Sequence, residues 1–175
     1  MREDEEKKEE MTEEASGQRE TPGRELYEWT QALVGSVLTV VLVFTFLIRL
    51  IGVDGHSMVP TLQNGDRLLV LSSLLDSDYE YGDIVVLREE SFLEEPIVKR
   101  VIATEGQTVD IDFEAGVVYV DGEALDEPYI LEPMRELPAE YATHIEVPEG
   151  SVFVMGDNRN NSTDGRSPSI GVVDE

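Results

Sequence analysis

Hydrophobic and polar positions are arranged in different ways along this chain, and each arrangement predicts its own kind of element. Between Trp29 and Ile48 no residue is charged, and apolar side chains such as Leu33, Val37, Val41 and Phe44 leave no polar face. Wound as a helix, that run rises about 30 Å, the thickness of a bilayer's hydrocarbon core. A helix buried in a soluble protein rarely stays apolar all round over such a length. The pattern predicts a membrane-spanning anchor over residues 29–51, with Trp29 at one interface and Arg49 able to snorkel at the other. A cleavable signal peptide has a shorter apolar region of ~7–15 residues and then a small-residue cleavage site. Here Arg49-Leu50-Ile51-Gly52-Val53-Asp54 follows instead.

Residues 1–28 show no apolar periodicity and hold eleven acidic and five basic residues, which predicts a disordered acidic tail. Residues 52–175 change character again. Short β-branched runs at 67–71, 83–87, 97–102, 108–111, 117–120 and 151–155 are bounded by Gly, Asp or Pro and predict strands. Val120-Asp121-Gly122-Glu123 signals a tight hairpin, because Asp-Gly tolerates the positive φ of a type I′ turn. Residues 123–143, with Pro128, Pro133 and Pro138, read as an irregular connection. The expected architecture is mainly β, a compact sheet or barrel-like domain on a single N-terminal transmembrane helix.

Composition narrows the chemistry. The 175 residues carry a net charge of −25 and no cysteine, so there is no disulfide, thiolate metal site or cysteine nucleophile. Clustered Lys and Arg are missing, which argues against nucleic acid as a partner. His56 and His144 stand apart and predict no metal site. No cofactor is implied. Nucleophiles are then hydroxyls, and a hydroxyl needs a base.

Lysine is scarce: Lys7 and Lys8 lie in the tail and Lys99 alone beyond it. Strand alternation places Ile97, Lys99 and Val101 on one face. An amine among apolar neighbours is desolvated and its pKa falls, and the adjacent Arg100 charge is expected to act the same way. Such a lysine serves as a general base, and an exposed or ion-paired lysine is the plain alternative. Val53-Asp-Gly-His-Ser57-Met-Val-Pro-Thr-Leu62 follows the anchor and can present a hydroxyl on a rigid turn, or simply be a turn. Met155-Gly-Asp-Asn-Arg-Asn-Asn-Ser-Thr-Asp-Gly-Arg166 is a polar loop after a strand. Asp157, Arg159, Asp164 and Arg166 are expected to pair within it.

In this order behind an anchor, the segments resemble the bacterial type I signal peptidases of peptidase family S26, serine endopeptidases with a Ser–Lys dyad. Ser57–Leu62 is similar to the nucleophile box, and Tyr81-Gly-Asp-Ile-Val-Val86 to the strand box that follows. Val98–Ile102 is similar to the lysine box, and Gly156–Arg166 to the last box. The resemblance implies Ser57 as nucleophile, Lys99 as general base, Ser162 as the serine that bonds the lysine amine, and Asp164 with Arg166 as a brace. It implies an oxyanion donor in the Ser57 amide and a shallow apolar subsite at Val53, Met58, Leu62 and Val98. The partners implied are the lipid bilayer and signal peptides of exported preproteins, cut after small residues such as Ala-x-Ala. The tail would be cytoplasmic and the 52–175 domain extracytoplasmic.

The chain departs from the family pattern in places. Gly55 stands where Gram-negative members carry a second oxyanion donor, as in many Gram-positive relatives. Ala103–Gln107 lacks the usual proline turn, and Asp164-Gly165-Arg166 replaces Asp-Ser-Arg. The family commonly continues past Glu175 into one more strand, so a minimal or truncated domain is expected. Competing readings are a self-cleaving repressor-type protease and a membrane-anchored β interaction module of the same fold with weak or no catalysis.

Overall fold

A computed structural model describes residues 22–73, 78–88, 96–135 and 140–174. The tail through residue 21 and Pro138 lie outside the described residues. The chain divides into two units, residues 1–45 and 46–175.

The first unit is the helix α1, Pro22–Phe46. Proline suits its opening position, where no helical N–H bond is lost. Arg24 Nε donates to Glu28 one turn on, at 3.0 Å. The hydroxyls inside the apolar run are satisfied within the helix: Thr30 donates to Leu26 O, Ser36 to Leu33 O and Thr39 to Gly35 O. Backbone and hydroxyls therefore need no outside partner, and Gly23–Phe46 is long and apolar enough to cross a membrane.

The helix starts earlier and ends earlier than the predicted anchor. Residues 22–28, expected to belong to the tail, are helical, and Ile48–Gly52 forms strand β1. Hydropathy sees no difference between an apolar helix and an apolar strand; pairing decides. Strand β1 aligns antiparallel with β2, Arg67–Leu71, from Ile48 opposite Leu71 to Gly52 opposite Arg67. The chain from Ile48 onward thus belongs to the β unit.

That unit holds two further sheets. One is ordered β10-β9-β4-β3, where β3 is Ile84–Leu87, β4 Ile97–Ala103, β9 Ser151–Met155 and β10 Val173–Asp174. The other is ordered β7-β6-β5-β8, from Thr108–Asp112 (β5), Val117–Val120 (β6), Glu123–Ala124 (β7) and His144–Glu146 (β8). The β6–β7 turn has Asp121 at φ 52 and Gly122 at φ 82, the left-handed pair a type I′ hairpin requires. The six predicted strands are all present. The short β7, β8 and β10 carried no legible run of their own.

Strand β9 is buried along its whole length, and its alternation serves two cores. Phe153 and Met155 pack with Ile102, Val109, Val118 and Ile145 between the sheets. Val152 and Val154 pack with Val101 on the opposite face. Strand β4, flanked by β3 and β9, is buried from Lys99 to Ala103, and a register shift between Val101 and Ala103 adjusts its end. The first half of β4 consequently presents a lysine to the interior.

Candidate active site

Ser57 lies on the turn that follows β1. Gly55 enters that turn at φ 111, a conformation that disfavours L side chains, and its N–H is held by Asn64 Oδ1 at 3.0 Å. Val53 is tied across the turn through its N–H to Asp66 O at 2.8 Å and its carbonyl from Gly65 N at 2.9 Å. Met58 anchors the turn with 2 % exposure. Ser57 stays half-buried and within reach of the sheet.

Lys99 rises from β4, 3 % exposed, and its Nζ lies 2.9 Å from Ser57 Oγ and 3.1 Å from Val98 O. Its pKa is lowered, first because burial penalises the ammonium. Asp164 acts in the opposite sense and Arg166 adds to the lowering. Arg100 does not act as predicted: strand alternation turns it away, to Asp157. The charges that reach the amine come from the loop after β9 instead.

That loop is built on buried ion pairs. Asp164 receives Arg166 Nε and Nη2, both at 2.8 Å, and its Oδ2 also accepts Gly156 N–H at 2.8 Å. Neither side chain is exposed. Arg166 Nη2 further donates to Arg159 O. The other predicted pairing within the loop is replaced. Asp157 takes both Nε and Nη2 of Arg100, at 2.8 and 2.7 Å, and Thr61 Oγ1 at 2.5 Å. Arg159 reaches Glu127 with Nη1 and Nη2, at 2.9 and 2.5 Å. A guanidinium with no exposure needs a carboxylate, and the sequence offered too many to single one out.

Ser162 differs from the expectation. Its Oγ is buried without a hydrogen-bond partner, so no hydrogen bond joins it to the Lys99 amine. It is pressed against Gly156, where an added Cβ would come within 2.6 Å of both Ser162 Cβ and Ser57 O. Ser162 therefore shapes the floor beneath Ser57, while the amine is directed by Val98 O.

Asn158 is a site residue that the motif reading passed over. Its N–H donates to Ser57 O at 2.9 Å and its Nδ2 to His56 O at 3.0 Å. Among the described residues Ser57 N–H has no acceptor, which leaves it available as an oxyanion donor.

The four expected subsite residues differ in exposure. Val53 and Met58 are 7 % and 2 % exposed, whereas Leu62 and Val98 are half-buried. A cleft of about 920 Å³ lies between β2 and β3, lined by Leu69, Val86 and Val152 among others, and Leu62 is the one subsite residue on its wall. The departures from the family pattern have local explanations. In the proline-free turn Gln107 Oε1 accepts Thr104 N–H at 2.9 Å and closes the loop with Gly106 at φ 77. At Gly165 an added Cβ would lie 2.7 Å from Phe153 and 2.8 Å from Val154 O, so the serine usual there has no room.

His144 Nδ1 pairs with Asp110 on the exposed face of β5 and β8, and His56 is exposed with its carbonyl on Asn158. Among the described residues no cluster of His, Cys, Asp and Glu is arranged to hold a metal ion.

Residues 26–175 match the family described as signal peptidase, peptidase S26. A probable signal peptidase I-1 of Synechocystis sp. is 43 % identical over 142 residues, 73 % of this chain and 69 % of that one. A signal peptidase I of Bacillus licheniformis is 34 % identical over 173 residues, 94 % of this chain and 89 % of its own. A crystal structure of a signal peptidase I from Enterococcus faecalis V583 shares 27 % identity, covering 55 % of this chain and 90 % of that chain at a TM-score of 0.41. The family match and the two sequence relatives agree, and the chain belongs to the signal peptidase family, peptidase S26, a family of serine endopeptidases.

Proposed function

We propose that this protein is a membrane-anchored signal peptidase I that cleaves preproteins with Ser57 as nucleophile and Lys99 as general base. The observation that carries the reading is the 2.9 Å separation of Lys99 Nζ and Ser57 Oγ, with the amine buried in an apolar strand. The neutral amine accepts the Ser57 hydroxyl proton as Oγ attacks the carbonyl carbon of the scissile bond. The oxyanion receives the Ser57 N–H. Collapse breaks the C–N bond, and the Lys99 ammonium returns its proton to the leaving amine. Water, deprotonated by the same lysine, then attacks the acyl carbonyl carbon; the C–Oγ bond breaks, the Lys99 ammonium returns the proton to Ser57 Oγ and the carboxyl product leaves.

Asp164 and Arg166 brace the site by fixing Gly156, and Gly156 lies directly beneath Ser57. Val53, Met58, Leu62 and Val98 surround the nucleophile turn and favour small residues such as Ala before the cut. The helix α1 serves as the anchor, the tail as its cytoplasmic flank and the β unit as the extracytoplasmic peptidase. The test is cleavage of an Ala-x-Ala preprotein in detergent micelles, with N-terminal sequencing of the product. Release of the mature chain directly after the second Ala supports the reading; a cut elsewhere, or none, contradicts it.

A further inference from the structure

The segment between β7 and β8 carries side chains whose placement is not explained by the site already described. Tyr129 lies under two arginines: the Arg100 guanidinium is 4.1 Å from its ring centroid and Arg159 is 5.9 Å away. Its hydroxyl donates to Glu127 Oε1 at 3.0 Å and meets the Tyr81 hydroxyl at 3.1 Å. Glu127 in turn neutralises Arg159, which has no exposed side-chain surface. Both arginines end on the same short segment, one on its backbone and one on a side chain. Arg159 Nε donates to Gly156 O at 3.1 Å, and Arg100 grips Asp157. Gly156–Asn158 is the piece that holds Asp164, Thr61 and the Ser57 carbonyl.

We propose that Glu127 and Tyr129 are positioning residues for the peptidase reaction, a strut that sets the Ser57–Lys99 geometry by holding Arg159 and Arg100 against Gly156–Asn158. The strut is built of buried charge. If Glu127 loses its charge, Arg159 keeps an uncompensated cation and draws in water or swings away. If the Tyr129 ring is lost, the guanidinium planes above it lose their stacking surface and the space fills with solvent. In either case the Gly156 carbonyl is released, and the loop that presses on Ser57 loosens. Water beside Lys99 favours the ammonium, against the balance now set by burial, Asp164 and Arg166.

The inference rests on the Ser57–Lys99 reading, and the experiment separates the two. Steady-state cleavage of an Ala-x-Ala preprotein is measured from pH 6 to 10 for wild type, Glu127→Gln, Tyr129→Ala and Tyr129→Phe, each at a temperature where circular dichroism shows it folded. We expect Glu127→Gln and Tyr129→Ala to lose roughly 10- to 100-fold in kcat with KM nearly unchanged. Their acid limb should move to higher pH by about half a unit or more. Tyr129→Phe, which keeps the stacking face and loses only the hydroxyl's bonds, should recover most of the rate and the limb that Tyr129→Ala loses. If Glu127→Gln does not fold, the two Tyr129 variants decide the matter. An unchanged kcat and acid limb in Tyr129→Ala, or a loss carried wholly by KM, overturns the strut. A wild type with no cleavage or no acid limb overturns the Ser–Lys reading instead.

Discussion

Asn158 holds Ser57 from behind: its backbone N–H donates to the Ser57 carbonyl at 2.9 Å, while its side-chain amide spans to His56 O at 3.0 Å. The nucleophile turn is thus pinned to the loop after β9 by one residue, next to Asp157, whose carboxylate holds Thr61 at the other end of the same turn. Asn158→Ala keeps the backbone bond and removes the amide bond. A single net hydrogen bond is worth about 1 kcal/mol. The expected result is a stability loss of that order and a roughly 3- to 10-fold lower kcat, read by denaturant unfolding and steady-state kinetics.

Lys99 sets the pH dependence. Its folded-state pKa lies below the ordinary 10.5, with burial the main cause, and in the proposed mechanism the neutral amine is the active form. Activity should therefore rise with pH through a limb centred below 10.5 and then level, as followed by kcat/KM. The stability sign runs the same way. The unfolded chain binds the proton more tightly, so the buried amine costs stability at neutral pH, and this cost fades as pH approaches 10.5. Lys99→Met should accordingly be inactive and melt higher than wild type at pH 7, with the gap narrowing at pH 10.

Gly165 is a packing requirement. Phe153, Val154 O and Gly171 O all lie within 2.9 Å of where its Cβ would stand. Gly165→Ser, which restores the usual family residue, should destabilise by about 1–3 kcal/mol. Urea unfolding checks this, and wild-type stability in the variant would show that the neighbours shift freely.

Asp164→Asn leaves the fully buried Arg166 without its counter-charge. Removing one partner of a buried pair costs about 3–5 kcal/mol. The variant should unfold at markedly lower denaturant and lose most of its activity, whereas the exposed Glu132→Gln, which breaks the surface pair with Arg135, should change stability by less than about 1 kcal/mol.

Much of the fold is written in local patterns. The 97–102 and 151–155 runs are β-branched and enclosed, and Asp121-Gly122 dictates its own turn. The far end of the apolar helix was not legible, because Leu50 and Ile51 continue the apolar run past Arg49 and only pairing with Arg67–Leu71 makes Ile48–Gly52 a strand. Lys99 stood out as the one lysine beyond the tail, set in an apolar strand, and its amine lies 2.9 Å from Ser57 Oγ. Its electrostatic surroundings were not legible: proximity in sequence suggested Arg100 as the acting charge, but alternate side chains of a strand face opposite ways. Partner choice for Arg100 and Arg159 is a tertiary property, and Glu127 and Tyr129 sat in a stretch with no periodicity to mark them. Ser162 lies against Gly156 with its hydroxyl unbonded, where the resemblance implies a bond to the lysine amine.

The most direct measurement is preprotein cleavage by wild type, Ser57→Ala and Lys99→Ala, full-length in detergent micelles and each verified as folded by circular dichroism. The account predicts release of the mature chain by wild type and a loss of at least about 10³-fold in kcat for either variant. Cleavage at the wild-type rate by folded Ser57→Ala or Lys99→Ala would contradict it.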